Sequence, residues 1–209
     1  MRRWLLPLMG LLTGCLPMSV PTPQIREYQL TYPPPAAVGD PVPAIVEVGP
    51  IDVAALYDRD SIVYRDGAHG TGTYVDSRWS TNPRNMVADL LVRDLSATGA
   101  YRAVQRAPAL LVGDYRLTGE LVEIDERASA GGCRAHLELR LLLARTRGVG
   151  ANAVLWQRTY DGDEPAACNQ PSRLAAAMSQ ALAGVSARVQ RDVYETIATA
   201  TKARAALPP

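Results

Sequence analysis

A long alternation of apolar and polar residues in the second half of the chain restricts most strongly what it can fold into. The alternation covers residues 115–125 and 134–143, and its second apolar series is Ala135, Leu137, Leu139, Leu141 and Leu143. A period of two places these side chains on one face of a β-strand. Residues 153–160 follow a turn at 148–152 and predict a third strand. Together the strands predict an antiparallel meander with one packed face and one wet face.

Two amphipathic helices are predicted to cover the packed face. The last one starts at Pro171 and extends to about residue 199, with apolar residues three or four apart: Leu174, Met178, Leu182, Val185, Val189, Val193 and Ile197. This spacing keeps one apolar stripe on one face of the helix. Its many alanines leave a second interpretation open, in which the helix packs closely against another copy of the chain.

The other helix is predicted between Pro83 and Thr98. Asn82 can cap it, and proline costs nothing at the first helical position because the N–H there is unpaired anyway. Gly99 ends the helix. We therefore expect a single α+β domain, in which a mostly antiparallel sheet is covered on one face by two helices.

Shorter strands are predicted in the first half, at residues 26–30, 44–48 and 61–65, with Gly49-Pro50 turning the chain after the second. A hairpin tip before residues 73–75 is predicted by three closely spaced glycines, Gly67, Gly70 and Gly72. No Gly-Lys-Ser or Gly-x-Gly-x-x-Gly pattern opens a helix here, which argues against nucleotide binding.

The amino terminus has the pattern of a bacterial lipoprotein signal. Arg2 and Arg3 precede an apolar run over residues 4–12, which is too short to span a bilayer, and Thr13-Gly14-Cys15 resembles a lipobox. We expect residues 1–14 to be removed, Cys15 to be acylated, 15–24 to form a proline-rich tether and 25–203 to form the domain. Residue 16 is leucine rather than aspartate, which favours the periplasmic face of the outer membrane. The alternative is an ordinary secreted protein.

Charge and cysteine content limit the choice of partners and the compartment. Without Arg2 and Arg3, the 22 basic residues fall to 20 against 21 acidic ones, which argues against nucleic acid as a partner. Cys133 and Cys168 remain once Cys15 is set aside, and hairpin pairing of Arg145 with Val154 would bring them close together. We expect a disulfide in an oxidising compartment. Free thiols and a zinc site are the alternatives, although no histidine accompanies the pair.

Candidates for catalysis are few, and we expect no catalytic residue, metal or cofactor. His69 lies in the glycine-rich tip and His136 on the side of a strand predicted to be exposed, and neither sits in a nucleophile or metal pattern. A mixed-charge group is interpreted as a solvated edge; it consists of Asp58, Arg59, Asp60, Arg65 and Asp66.

Contact with a protein partner is a better use of the exposed aromatic and arginine residues, which dominate interface energies. The candidates are Tyr64, Tyr74, Arg78 and Trp79. Trp79 has a second interpretation, as a core residue under the first helix.

The order of these elements resembles the ABC-type transport auxiliary lipoproteins, the PqiC/YmbA-like family. The resemblance rests on Tyr28-Gln29-Leu30, on residues 45–50, 56–59 and 62–65, and on Trp79 before a helix that starts with proline. It implies a non-enzymatic outer-membrane lipoprotein that docks the periplasmic conduit of an intermembrane lipid transport system. The implied partners are an MCE-domain protein and ABC transporter subunits, with a homo-oligomeric collar as an option. The alternative function is regulation of a cell-wall enzyme or help in outer-membrane assembly.

Overall fold

The computed structural model describes residues 24–109, 111–147 and 153–205. Within them the chain forms eight strands and two helices, which in order are β1 (Arg26–Tyr28), β2 (Val42–Val53), β3 (Ser61–Asp66), β4 (Gly70–Trp79), α1 (Pro83–Ala97), β5 (Tyr101–Arg106), β6 (Tyr115–Ser129), β7 (Gly132–Arg145), β8 (Val154–Ala166) and α2 (Pro171–Ala205). The α+β fold predicted from the sequence is confirmed. The strands β6 and β8 and the helix α2 are each longer than predicted.

Strand β6 is the centre of the sheet. One of its edges pairs antiparallel with β7 from Tyr115 to Ser129, and β7 pairs antiparallel with β8. Its other edge is shared, because β2 pairs in parallel with its first half and β3 in parallel with its second half. Strand β5 continues the sheet beyond β2, while β4 and then β1 continue it beyond β3. The predicted antiparallel meander is therefore β6, β7 and β8.

The predicted turn at Gly49-Pro50 is wrong. Strand β2 continues through both residues to Val53, and its register against β6 shifts between Val48 and Ile51. Proline has no N–H to donate to a neighbouring strand, so it is tolerated within a sheet at an irregularity of this kind. Pro50, which the sequence suggested as the end of a strand, therefore marks a bulge within β2.

Both helices pack on the same face of the sheet. Helix α1 contacts β2 and β5, helix α2 contacts β7 and β8, and the two helices contact each other. The apolar stripe of α2 and the alternating leucines of β7 are fully buried between them. Gly162 of β8 permits this approach, because a Cβ there would lie 2.9 Å from the carbonyl oxygen of Ala181. The predicted covering role of the helices is confirmed.

The buried carboxylate of Asp94 joins the two helices to the segment after β1. Asp94 on α1 accepts hydrogen bonds from Tyr32 Oη at 2.7 Å and from Ser186 Oγ of α2 at 2.5 Å. Arg93 forms an ion pair with the same carboxylate at 2.6 Å. A buried carboxylate needs such partners to offset its loss of hydration. The group explains how polar residues are accommodated in the middle of the helical layer.

Candidate functional site

The predicted acylation site, Cys15, lies outside the described residues, as do the predicted signal peptide and all but the last residue of the tether. The described part of the chain begins at Gln24, directly before β1. Neither of its two helices is long and apolar enough to cross a bilayer.

Three of the four predicted partner contacts, Tyr64, Tyr74 and Arg78, are partly exposed on the β3–β4 hairpin. Strand β4 has a bulge in this hairpin. Ser61 pairs with Arg78 and Val63 pairs with Thr73, so residues 74–77 of β4 lie opposite a single residue of β3. Val75 sits in this bulge with 88% of its surface exposed. We call Tyr64, Tyr74, Val75 and Arg78 the hairpin surface. Val75 was not among the predicted partner contacts, because its position in a β-rich segment gives no sign of a bulge.

The two tyrosines of the hairpin surface hold each other in place. Their rings meet edge to face with 5.5 Å between centroids, and Tyr74 Oη donates a hydrogen bond to Glu126 at 3.0 Å. Burial and the carboxylate of Glu126 raise the pKa of Tyr74 above its usual value. Tyr74, the first residue of the bulge, is therefore neutral and held in place by its hydrogen bond.

Arg78 and Trp79 are adjacent in sequence but differ completely in environment. Arg78 is exposed and forms an ion pair with Glu27 of β1 at 2.6 Å, and this hydrogen bond raises its pKa. Trp79 is 2% exposed and belongs to the core, which agrees with its second interpretation as a core residue. We therefore leave Trp79 out of the hairpin surface.

The face of the sheet opposite the helices carries a network of charges, which we call the open-face network. It comprises Tyr57, Arg65, Glu123, Asp125 and Arg127. Asp125 accepts hydrogen bonds from Tyr57 Oη at 2.5 Å, Arg65 Nε at 2.7 Å and Arg127 Nε at 2.9 Å. Both arginines also bind Glu123. The interpretation of Arg65 as part of a solvated edge is therefore wrong, because Arg65 is paired with the buried carboxylate of Asp125 on the open face of the sheet.

The protonation states of the open-face network follow from these contacts. Burial and the hydrogen bond to Asp125 raise the pKa of Tyr57, so the phenol stays neutral and donates. The hydrogen bond to Tyr57 and the neighbouring Asp125 raise the pKa of Arg65. Each charge of the network thus has an opposite charge or a donor beside it, as buried charges require.

His136 lies beside this network, and its predicted exposure is wrong. Its side chain is only 13% exposed, and Nε2 lies 3.2 Å from Glu123 Oε2. The two atoms do not form a hydrogen bond, and within the described residues the buried Nε2 atom has no hydrogen-bond partner. The polar face of an antiparallel strand can be half-buried by long arginine side chains around it, which shield the imidazole. His69, by contrast, is exposed at the hairpin tip.

A disulfide links the two cysteines of the domain. Cys133 at the start of β7 and Cys168 just after β8 are bonded, with 5.1 Å between their Cα atoms. From Cys133 to Leu143 the register is the predicted one, and it places Cys133 opposite Ala166; only at the turn end does Ala144 rather than Arg145 pair with Val154. A shift between Leu143 and Ala144 accounts for the difference.

The open face also has a shallow cleft of about 400 Å³ next to the network. It lies where β2 bulges away from β6, and its walls include Pro50, Thr118, Arg140, Leu142 and Gln157. The lining mixes apolar and charged groups and contains neither a nucleophile–base pair nor a histidine.

Comparison with known families identifies the class of protein. The family described as "ABC-type transport auxiliary lipoprotein component" matches residues 28–190, which include β2 to β8, α1 and the first half of α2. The chain belongs to this family. It is a family of transport auxiliary lipoproteins rather than a known enzyme family. A comparison with curated protein sequences found no match.

Solved structures show the same fold. Protein XCC0632 from Xanthomonas campestris is similar, with a TM-score of 0.76 and 21% sequence identity, covering 85% of this chain and 99% of the other. A crystal structure of an uncharacterized protein has a TM-score of 0.60 at 15% identity and covers 77% of this chain and 99% of the other. At these identities the likeness concerns the fold alone.

Proposed function

We propose that this protein is the outer-membrane lipoprotein subunit of an ABC-type intermembrane lipid transport system, and that it docks an MCE-domain protein of the periplasmic conduit. In this role it makes and breaks no bond of the cargo. The observation that carries the proposal is the family match over residues 28–190, since that family is an auxiliary lipoprotein of ABC-type transport.

Anchoring is assigned to Cys15, which would hold the domain at the periplasmic face of the outer membrane. Residues 15–24 would span at most about 35 Å when extended, so the domain would work close to the bilayer. Several acyl chains on one cysteine give stable attachment where a single chain does not. Replacing Cys15 by serine is expected to release the protein from the outer-membrane fraction, and mass spectrometry of the mature amino terminus would detect the lost acylation.

Docking is assigned to the hairpin surface. An exposed valine between two tyrosines and an arginine has the composition of an interface centre, where aromatic residues and arginine carry most of the binding energy. The ion pair of Arg78 with Glu27 holds the guanidinium in place while 42% of the Arg78 side chain stays exposed. A protein partner could cover Val75 and keep Arg78 at the solvated rim.

A homo-oligomeric collar is part of the proposal. Ala176, Ala183 and Ala187 of α2 remain partly or fully exposed on the outside of the domain. Small side chains allow close approach of a second copy, and a ring of copies would present several hairpin surfaces to one conduit.

The proposal is tested by co-purification from detergent-solubilised membranes. Val75→Asp is expected to reduce recovery of the MCE-domain protein at least about tenfold, since it places a charge in the interface centre. Val112→Asp is the matched control, because Val112 is 70% exposed on the loop between β5 and β6 and lies outside the hairpin surface. Equal recovery with both variants would reject the hairpin surface, and failure of the wild-type chain to recover any MCE-domain protein would reject the docking role.

A further inference from the structure

Three potential metal ligands converge on the open face, one of them from the open-face network itself. Glu123 projects from β6, and His136 and Glu138 project from β7, where Glu123 pairs with Glu138 and Asp125 pairs with His136. One ligand atom from each of the three lies within 4.8 Å of the other two. All three side chains are partly buried, which distinguishes them from the exposed acidic pairs elsewhere on the domain.

The position of His136 indicates that something is needed to complete its contacts. Its Nε2 atom is buried and has no hydrogen-bond partner in the part of the chain that the structure describes, although it lies 3.2 Å from Glu123 Oε2. Two ligands of a tetrahedral zinc ion, bound at 2.0–2.1 Å, are separated by about 3.3 Å. The distance between His136 Nε2 and Glu123 Oε2 is thus close to that expected for two ligands of one metal ion.

The charged side chains around the three ligands have a net negative charge, which favours a bound cation. The carboxylates of Glu123, Asp125 and Glu138 are set against the guanidinium groups of Arg65 and Arg127, which leaves one negative charge in excess. Arg140 lies 3.9 Å from Glu138 but is closer to Glu120, at 3.3 Å, so it does not cancel that excess.

The arginines on Glu123 are compatible with metal binding. Each carboxylate oxygen has two lone pairs, so Glu123 Oε2 can accept a hydrogen bond from Arg127 and still face a cation. Carboxylates that bind metals are commonly held by such outer hydrogen bonds.

We infer that Glu123, His136 and Glu138 form a binding site for a divalent cation of the zinc class, with water as a fourth ligand. One imidazole and two carboxylates suit zinc, whereas magnesium prefers oxygen ligands alone. The site joins β6 to β7 on the open face. It is independent of the proposed docking at the hairpin surface, which lies on other strands.

The chain has only two histidines, and this makes the test direct. Histidine ring signals are followed by NMR in the detergent-solubilised full-length protein while Zn²⁺ is added. We expect the His136 signals to shift and saturate at one equivalent, while the His69 signals stay in place. Mg²⁺ at the same concentration should leave both sets of signals unchanged. Binding of zinc by thiols elsewhere would not move the His136 ring.

Variants identify the ligands. Glu138→Gln, which keeps the shape of the side chain, is expected to weaken zinc binding by roughly tenfold or more, and His136→Ala should abolish saturable binding at the site. His69→Ala is the matched control and should bind zinc like the wild type. The inference is overturned if the His136 signals do not respond to zinc, or if Glu138→Gln binds with unchanged affinity while its thermal stability matches the wild type.

Discussion

The two faces of the sheet solve the problem of burial in opposite ways. On the face covered by α1 and α2, leucines and valines exclude water by close packing, and leucines of β7 such as Leu139 are fully buried. On the open face, Asp125 is equally buried, yet its neighbours are two arginines and a tyrosine. Apolar burial stabilises without regard to direction, whereas a charge network depends on each contact being made.

This difference indicates what each face is for. A face stabilised by packing tolerates changes of side chain as long as volume is conserved. A face held by directed contacts fixes the positions of its charges, which is useful for recognition. The helices therefore make the domain stable, whereas recognition is the role proposed for the hairpin surface.

The largest expected effect separates the faces with one pair of substitutions on β7. Leu139→Ala, on the covered face, is expected to lower the free energy of unfolding by about 2–5 kcal/mol, because it opens a cavity in a close-packed core. Leu142→Ala, on the open face, should cost about 1 kcal/mol or less, because Leu142 is only half-buried. Urea unfolding of both variants measures the difference. Equal losses would show that the open face is packed as tightly as the covered one.

Removal of the disulfide is the next largest effect. Replacing Cys133 and Cys168 together by serine is expected to lower the free energy of unfolding by about 2–4 kcal/mol, because the bond constrains the unfolded chain across the β7–β8 hairpin. Unfolding of the oxidised wild type against the double variant provides the measurement. A double variant as stable as the wild type would show that the sheet alone, without the disulfide, stabilises the pairing of β7 with β8.

Asp125→Asn tests whether the open face depends on its charges. The asparagine keeps the size of the side chain but removes the charge that faces Arg65 and Arg127, and we expect a loss of about 1.5–3 kcal/mol. Glu120→Gln is the control, because its ion pair with Arg140 is exposed and should contribute less than about 1 kcal/mol. If both variants unfold at the same urea concentration, the open-face network contributes no specific stability.

Alkaline pH should reveal a property that the two faces share. Burial and a carboxylate raise the pKa of Tyr57 on the open face and of Tyr160 beside α2. A raised pKa in the folded state means that the contribution of the tyrosine to the free energy of unfolding is fully present below about pH 10 and is lost as the pH rises further. At about pH 11 each tyrosine should account for about 1 kcal/mol of that loss.

Tyr57→Phe and Tyr160→Phe should therefore each lose less stability than the wild type between neutral pH and about pH 11. Urea unfolding at several pH values measures this. If neither substitution alters the pH dependence, the tyrosines do not keep their protons in the folded protein in the way described.

Local patterns predicted the covered face well. The stripe of α2 from Leu174 to Ile197 and the leucines of β7 follow fixed periods, and such periods survive folding because they define which side of an element meets the core. Asn82 and Pro83 likewise marked the start of α1 through local chemistry, since Asn82 caps the helix by accepting a hydrogen bond from the N–H of Arg84.

The open face could not be predicted in the same way. Arg65 and Asp125 are 60 positions apart, and Tyr57 and Asp125 are 68 apart, so their contact depends on β3 pairing with the second half of β6. No local period encodes such a pairing. The exposure of Val75 and the burial of Trp79 likewise depend on one bulge in β4, which an aromatic and β-branched segment does not indicate in advance.

The central claim is that this domain holds a transport partner through the hairpin surface while lipid holds it to the membrane. The most direct test places a photo-crosslinking amino acid at position 75 in living cells, with position 112 as the control. The account predicts a crosslinked species that contains the MCE-domain protein from position 75 and none from position 112. Crosslinks to that protein from neither position, or from both equally, would contradict it.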